Sequence, residues 1–333
     1  MNLQQRVNLL VQLGEYILDN GTEWQMIKEK ASRENAWFAA EFIDKAAASI
    51  STEFLNRQKL ENWIHTYNIP SEKSDPKNIG VVMAGNIPLV GFHDLLCTFI
   101  SGHRQTIKLS SKDNVLIKYL VEQLGKMDPE TAPLIGFADM LKGCEAYIAT
   151  GSNNSARYFD YYFRKVPHII RRNRTSVAIL NGNETIEDLE RLADDVYLYF
   201  GLGCRNVTKM YVPEGYDFLP LLETFRKYTA LFENHKYRNN YDYQLALLMI
   251  NGKYYMTNGS IILNEDKSIF SPISVLNYEF YSDEAGLLKL LEEKNQDLQC
   301  IVGKKHHDFG EAQHPGIADY ADGIDTMKFL LSI

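Results

Sequence analysis

Apolar residues recur at helical spacing through the N-terminal stretch of the chain. Leu10, Leu13 and Ile17 form one set, Trp37, Phe38, Phe42 and Ile43 a second, and Leu55, Leu60 and Trp63 a third. The polar, proline-containing stretch NIPSEKSDPKN, 68–78, ends this helical region, and the period then changes. IGVVMA, 79–84, rich in β-branched residues and stopped by Gly85, predicts a buried strand. HDLLCTFISG, 93–102, predicts a helix ending at Gly102, and QTIKLS, 105–110, a second strand. Asp113 is placed to cap the next helix, NVLIKYLVEQLGKM. AYIATGS, 146–152, reads as a third strand, NNSARYFDYYF as a helix and SVAIL, 176–180, as a fourth strand. Strand alternating with helix at this period predicts an α/β fold with a mostly parallel sheet covered on both faces. Such sheets bind ligands at the carboxyl ends of their strands. Those ends are Gly85-Asn86, Lys108-Leu109-Ser110-Ser111 and Thr150-Gly151-Ser152, all polar or glycine-containing, which suits a nucleotide. No GxGxxG follows any strand, so the ordinary dinucleotide fingerprint is absent.

A new unit starts near residue 180. Thr185 and Asp188 have capping-box spacing, and Leu189, Leu192, Ala193, Val196 and Phe200 follow as one apolar helical face. Gly201 and Gly203 are expected to stop that helix just before Cys204, and VTKMYVP then reads as a strand closed by Pro213. SIFSPISVLNYEF and AGLLKLLEEK carry further strand and helix signals, and the tail is glycine-punctuated with three of the eight histidines. The expected organisation is a helical N-terminal region (1–77), a nucleotide-binding α/β domain (78–180), a catalytic domain (181–300) and a tail (301–333) that packs back on the core.

Length and composition narrow the class. A chain of 333 residues accommodates two domains, and a formal charge of -8 argues against nucleic acid as a partner. The one concentrated basic stretch, RKVPHIIRRNR at 164–174, reads either as solvated surface or as a phosphate contact. The four cysteines, at 97, 144, 204 and 300, have neither metal-ligand nor CxxC spacing, so no metal site is expected and a reducing compartment is. The N-terminus lacks a signal-peptide pattern and no apolar run has the roughly twenty residues of a membrane span. A cytoplasmic location is the expectation.

GLGCRN, 201–206, leaves two readings of Cys204 open. Free cysteine is among the most buried residue types, so it can be a small core hydrophobe. Alternatively, the flanking glycines let backbone N–H groups and a substrate approach, as a nucleophile attacking a carbonyl requires. Cys97 and Cys300 lie in apolar, core-like runs, and Cys144 lacks any comparable setting.

The order of motifs adds a further signal. Strand-GNIPL, strand-KLSS, strand-TGS, another strand and a helix running to GLGCRN together resemble the aldehyde dehydrogenase superfamily. Within it the pattern is most similar to the acyl-CoA reductase family related to the long-chain fatty-acid reductase of bacterial bioluminescence. The tail, FGEAQHPGIADYADGIDTMKFL, resembles that family's ending. The likeness covers roughly residues 78 to 333, and the chain is short for the superfamily, which leaves room for missing loops or a missing oligomerisation segment.

The resemblance implies an aldehyde dehydrogenase-like fold, a parallel-sheet cofactor domain plus an α/β catalytic domain, and commonly a homo-oligomer. It matches Asn86 to the asparagine whose side chain joins the nucleophile's N–H in the oxyanion hole; shaping the turn between Gly85 and Pro88 is the competing role. Lys108, at the end of the KLSS strand with Ser110, would bind the adenosine ribose. The glutamate three positions on in NAD-preferring members is Ser111 here, followed by Lys112. Loss of the acid and gain of a cation favour NADPH, though both lysines also suit an ordinary surface. Gly151 and Ser152 match the Gly-Ser that opens the helix near the pyrophosphate, or else form a plain helix cap.

Two departures bear on the reaction. The water-activating glutamate of ordinary aldehyde dehydrogenases falls in RNRTSVAIL, where Arg174, Thr175 and Ser176 stand with no carboxylate. The second glutamate, ahead of F-G-P, falls in DKSIFSPI, where Lys267 and Ser268 stand. Without a base for water, reduction of a thioester is implied rather than hydrolysis. The implied reaction is NADPH-dependent reduction of a fatty acyl thioester, on CoA or an acyl carrier protein, to the aldehyde through acyl-Cys204. His314, within QHPG, is the candidate acid/base, with His306 and His307 as alternatives. The rival readings are an aldehyde dehydrogenase working in the oxidising, acylating direction, a non-catalytic scaffold subunit of a biosynthetic complex, and cysteine-dependent acyl transfer or hydrolysis without a nicotinamide. YLYF (197–200) and YFDYYF (158–163) either line a lipid channel or pack against a sheet.

Overall fold

The structure, a computed structural model, describes residues 1–333. The chain divides into two compact units, residues 1–173 with 315–333, and residues 174–314.

In the first unit, Asn2 opens α1 (Leu3–Asp19) with a reciprocal capping box to Gln5. Helices α2 (Thr22–Glu34), α3 (Ala40–Ser49) and α4 (Arg57–His65) follow, a single π turn at Ile50–Phe54 linking the last two. Their apolar stripes, including Leu10, Leu13, Trp24, Ile43 and Trp63, share one core with the sheet residues Ile79, Val81, Ile107 and Ile148. Phe38 joins it from the link between α2 and α3 rather than from a helix as its spacing predicts. That sheet holds β1 (Asn78–Val82), β2 (Arg104–Lys108), β3 (Ile135–Phe137), β4 (Ala146–Thr150) and β5 (His168–Arg171). All pair in parallel in the order β3-β2-β1-β4-β5. Helices α5 (Phe92–Ile100), α6 (Leu116–Met127) and α7 (Asn153–Phe163) make three of the crossovers. Residues 315–333 complete this unit: Met327 and Leu330 of the short helix Thr326–Leu331 enter the core. Tyr320 Oη receives Trp63 Nε1–H at 3.0 Å and lies 2.6 Å from Tyr67 Oη.

Three expectations change here. Asp113 does not cap α6, whose N-cap is Val115; it is buried and accepts the Leu89 N–H at 2.8 Å. The basic tract is partly interior. Arg171 is buried in an ion pair with Asp94 (2.6 Å) and donates to Thr326 Oγ1 at 2.8 Å, fastening β5 to α5 and to the closing helix. Finally, the strand at 176–180 does not extend the first sheet.

That strand is β6 (Thr175–Ile179), and it opens the second unit between two later strands. α8 (Ile186–Tyr197), β7 (Val207–Pro213), α9 (Leu219–Thr224), α10 (His235–Ile250), β8 (Met256–Thr257), β9 (Ile262–Glu265), β10 (Val275–Tyr281), α11 (Glu284–Glu293) and β11 (Leu298–Val302) follow. The sheet order is β11-β6-β7-β10-β9-β8, parallel throughout except for the small β8–β9 pair. Thr185 and Asp188 form the expected capping box on α8. No helix of the chain is long and apolar enough to cross a membrane.

Candidate active site

In the first unit β1 is central, flanked by β2 and β4, so the three polar strand ends lie side by side. The strand order reverses between β1 and β4, where an open parallel sheet forms its ligand crevice. A Cβ on Gly85 would stand 2.6 Å from Ser110 Cβ and 3.1 Å from the Asp113 nitrogen, so the turns after β1 and β2 touch only because residue 85 is glycine. Asn86 is half-buried in the first of these turns. Three residues on, Leu89 adopts a left-handed conformation (φ 59°), and its N–H is the one held by Asp113. Burial pushes the Asp113 carboxyl up to about 6.

Lys108 and Lys112 are exposed and neither enters an ion pair. Ser110 Oγ accepts the Lys112 N–H at 3.2 Å, bending the chain towards α6. Ser152 is the N-cap of α7, accepting the Ser155 N–H at 3.2 Å. A Cβ on Gly151 would meet Ser155 Cβ at 2.9 Å and Phe159 at 3.0 Å, so glycine lets the helix start against the strand end.

Beyond the ends of β2 and β3 lies a cavity of about 620 Å³ walled by α2 and α6. Leu109 and Phe137 supply apolar surface, Ser110 and Ser111 hydroxyls, and Lys30 and Lys118 cations. Glu34, paired with Lys30 at 3.9 Å, and Glu122 also line it. Lys112, the cation picked out in the sequence, does not line this cavity. Lys30 and Lys118 were missed because each sits in an ordinary charged helical face. The arrangement can hold a flat ring against its apolar wall and an anion at its cations.

In the second unit, Cys204 is half-buried, whereas Cys97, Cys144 and Cys300 are buried, and no cysteine is in a disulfide. α8 does not run through Phe200 to the glycines as expected, but stops at Tyr197. Tyr199 (φ 55°), Phe200 (φ 56°) and Gly201 (φ 73°) are left-handed in succession. For the two aromatic residues this conformation costs about 1–2 kcal/mol each. Their rings nonetheless remain buried, so packing and hydrogen bonding offset the cost. Cys204 follows in a turn tied from several sides. Ser176 Oγ of β6 donates to the Cys204 carbonyl at 3.1 Å and lies 3.0 Å from Cys300 Sγ. Asn206, fully buried, accepts the Gly203 N–H on Oδ1 at 2.7 Å. Its Nδ2 faces three carbonyls at the end of α8.

The residues at the two expected carboxylate positions have other work. Thr175 Oγ1 lies 2.6 Å from Thr208 Oγ1, Ser176 holds the cysteine turn, and Arg174 donates to the Leu298 carbonyl at 2.7 Å. Ser268 closes a local turn, its N–H on Asp266 and its hydroxyl on the Phe270 carbonyl. His314 is exposed, with its N–H on the Glu311 carbonyl at 3.0 Å. Just before it, Gly310 and Ala312 donate to the buried carboxylate of Asp195 at 2.7 and 3.1 Å. Burial pushes Asp195 up to about 7. From sequence Ser176 is named only as standing at the missing carboxylate, and Asn206 and Asp195 are not singled out. Asn206 offered one cue, its place two residues after the cysteine, but burial of an asparagine is not written in a local pattern.

A parallel cofactor-type sheet followed by a second α/β unit with a turn-borne cysteine is the aldehyde dehydrogenase-like fold, and solved structures share it. Aldehyde dehydrogenase 21 from Physcomitrella patens, solved with succinate, matches with TM-score 0.70 and 15% identity over 100% of this chain and 84% of that one. An NADP-dependent enzyme of E. coli matches at 0.65 and 12%, over 91% and 73%. An NAD-dependent aldehyde dehydrogenase from Sinorhizobium meliloti matches at 0.65 and 12%, over 91% and 70%. At these identities the likeness is one of fold. No curated protein matches the chain. The sequence profile of the acyl-CoA reductase (LuxC) family, however, matches residues 23–220, and the chain belongs to that family. It is therefore an aldehyde-forming oxidoreductase. The matched span begins inside the N-terminal helices, takes in Asn86 and Cys204, and ends before the tail.

Proposed function

We propose that this protein reduces a fatty acyl thioester, carried on CoA or an acyl carrier protein, to the aldehyde with NADPH, through an acyl group held on Cys204. The observation that carries this reading is the contrast among the cysteines: Cys204 alone is not buried, and it sits in a turn built by buried hydrogen bonds.

The Cys204 thiolate attacks the thioester carbonyl, forming the acyl–sulfur bond as the CoA thiolate leaves. The Cys204 N–H and the Asn86 side chain are proposed as donors to the oxyanion. NADPH, when bound, supplies hydride to the acyl carbon; the Cys204–carbon bond then breaks, releasing aldehyde and the thiolate. His314 is proposed to protonate the departing CoA thiolate, which takes up the one proton the overall reaction consumes.

The first unit fits the cofactor. Its cavity offers an apolar wall, hydroxyls and cations within the volume range of ligand pockets. Gly85, Lys108, Ser110, Ser111, Gly151 and Ser152 are proposed to hold the dinucleotide at the strand ends. Lys30 and Lys118 are proposed, with Lys112 nearby in sequence, as counter-charges for the 2′-phosphate. The hydroxyls at Thr175 and Ser176 in place of a carboxylate favour reduction over hydrolysis.

Steady-state assays with octanoyl-CoA should show NADPH consumed in step with octanal formed, by the wild type and not by Cys204→Ser. Release of octanoate without NADPH consumption would overturn the proposal.

A further inference from the structure

We propose that Asn206 is a positioning residue for Cys204. This rests on Cys204 being the nucleophile, and it goes beyond that reading by naming what fixes the turn. Left-handed residues at 199, 200 and 201 bend the chain sharply off α8, and this geometry leaves helix carbonyls pointing into the buried interior. Asn206 Nδ2 meets them, at 2.8 Å from the Leu198 oxygen, 3.1 Å from that of Asp195 and 3.3 Å from that of Val196. Two amide hydrogens thereby serve three acceptors. The same amide's Oδ1 takes the Gly203 N–H at 2.7 Å, and the Asn206 N–H returns to the Gly203 carbonyl at 3.1 Å.

One side chain thus joins the helix before the turn to the residue immediately before Cys204. Asp195, whose carbonyl Asn206 holds, is itself fastened through its carboxylate to Gly310 and Ala312, so the anchor point is fixed in turn. No other amino acid supplies an acceptor and two donors in so short a reach: aspartate keeps the acceptor and sets a charge against three carbonyls, and alanine removes both. The role assigned to Asn206 is to hold the main chain at Cys204 where its N–H meets the oxyanion. A thioester attack depends on that geometry, whereas a small alkylating agent needs only an accessible thiol.

The test compares Asn206→Ala and Asn206→Asp with the wild type, as full chains. Three readouts are taken: the rate of Cys204 acylation by octanoyl-CoA, the rate of Cys204 alkylation by iodoacetamide, and NADPH affinity. The expected result is an acylation rate lower by about 10²-fold, alkylation within about fivefold and unchanged NADPH binding. Acylation within about threefold of wild type in a folded variant overturns the inference. So does an equal loss of both reactions, or alkylation of Cys97, Cys144 and Cys300, since general loosening produces either. If neither variant folds, amide hydrogen exchange on the wild type decides: protection of the Gly203 N–H comparable to β7 supports the clamp, and exchange at an open-loop rate overturns it. A wild type that is alkylated but never acylated fails the proposed function, whereas acylated wild type with acylated Asn206→Ala fails this inference alone.

Discussion

Asp113 lies under the turn that carries Asn86, and its carboxyl oxygen is the acceptor that keeps Leu89 left-handed. Its acidity is raised to about 6 by burial, so the folded protein holds a proton that the unfolded chain has already released. The stabilisation from that proton is complete below the ordinary carboxylate range and is lost as pH rises through about 6. Asp195, raised to about 7, acts in the same direction at slightly higher pH. The free energy of unfolding should therefore fall between about pH 4 and pH 7, by at most about 1.4 kcal/mol per pH unit for each group, and level off above. Asp113→Asn, which keeps an oxygen for Leu89, should flatten the slope; an unchanged slope would remove Asp113 from the account. At Ser111, glutamate would place a negative charge where the 2′-phosphate is proposed to bind. Ser111→Glu should weaken NADPH binding by about tenfold, or 1.4 kcal/mol, with a smaller effect on NADH. Equal effects on both cofactors would move the phosphate site elsewhere.

Among the elements, those with a one-sided apolar pattern were legible, including α1, α5, α6 and α8, as were the buried strands β1, β2, β4 and β7. α10 was not, because HKYRNNYDYQLALLMI has no apolar side; Asn234, accepting the Lys236 and Tyr237 N–H groups, starts it. β5 was hidden in a basic tract whose charge masked the alternation of buried Ile169 and Arg171. The cost of hiding an arginine there is testable. Arg171→Ala leaves the Asp94 carboxylate buried without its partner and should lose about 3–5 kcal/mol in urea unfolding. Replacing both by apolar residues, as Asp94→Leu with Arg171→Met, should recover much of that loss. A small effect of Arg171→Ala would mean that water reaches the pair. The end of α8 was misjudged for a related reason. Periodicity continues to Phe200, whereas the helix stops three residues earlier, at Tyr197, and the buried amide of Asn206 favours a left-handed turn that starts two residues before Gly201.

At the scale of the whole molecule, the two kinds of sheet were expected, but sequence order misled the grouping of β6. SVAIL follows β4 with the same apolar character, and only pairing with β7 and β11 assigns it to the second sheet. The tail divides in a way that no local pattern announces: residues up to His314 belong to the second unit, and Pro315 onwards to the first. Of the candidate site, the cysteine, the strand ends and the missing carboxylates are the parts that sequence alone can propose, because each is a residue type at a motif position. The hydrogen bonds that fix them were not, since they join residues distant in sequence or turn on burial. The family membership defines an aldehyde-forming oxidoreductase, and the proposed reaction passes through one sulfur, that of Cys204. Intact-protein mass after mixing with octanoyl-CoA tests this most directly, without and then with NADPH, alongside Cys204→Ser. The account predicts an octanoyl adduct on the wild type that clears with NADPH as octanal appears, and no adduct on the variant. An adduct that persists on Cys204→Ser, or a wild type that forms aldehyde from octanoyl-CoA without ever being acylated, would contradict it.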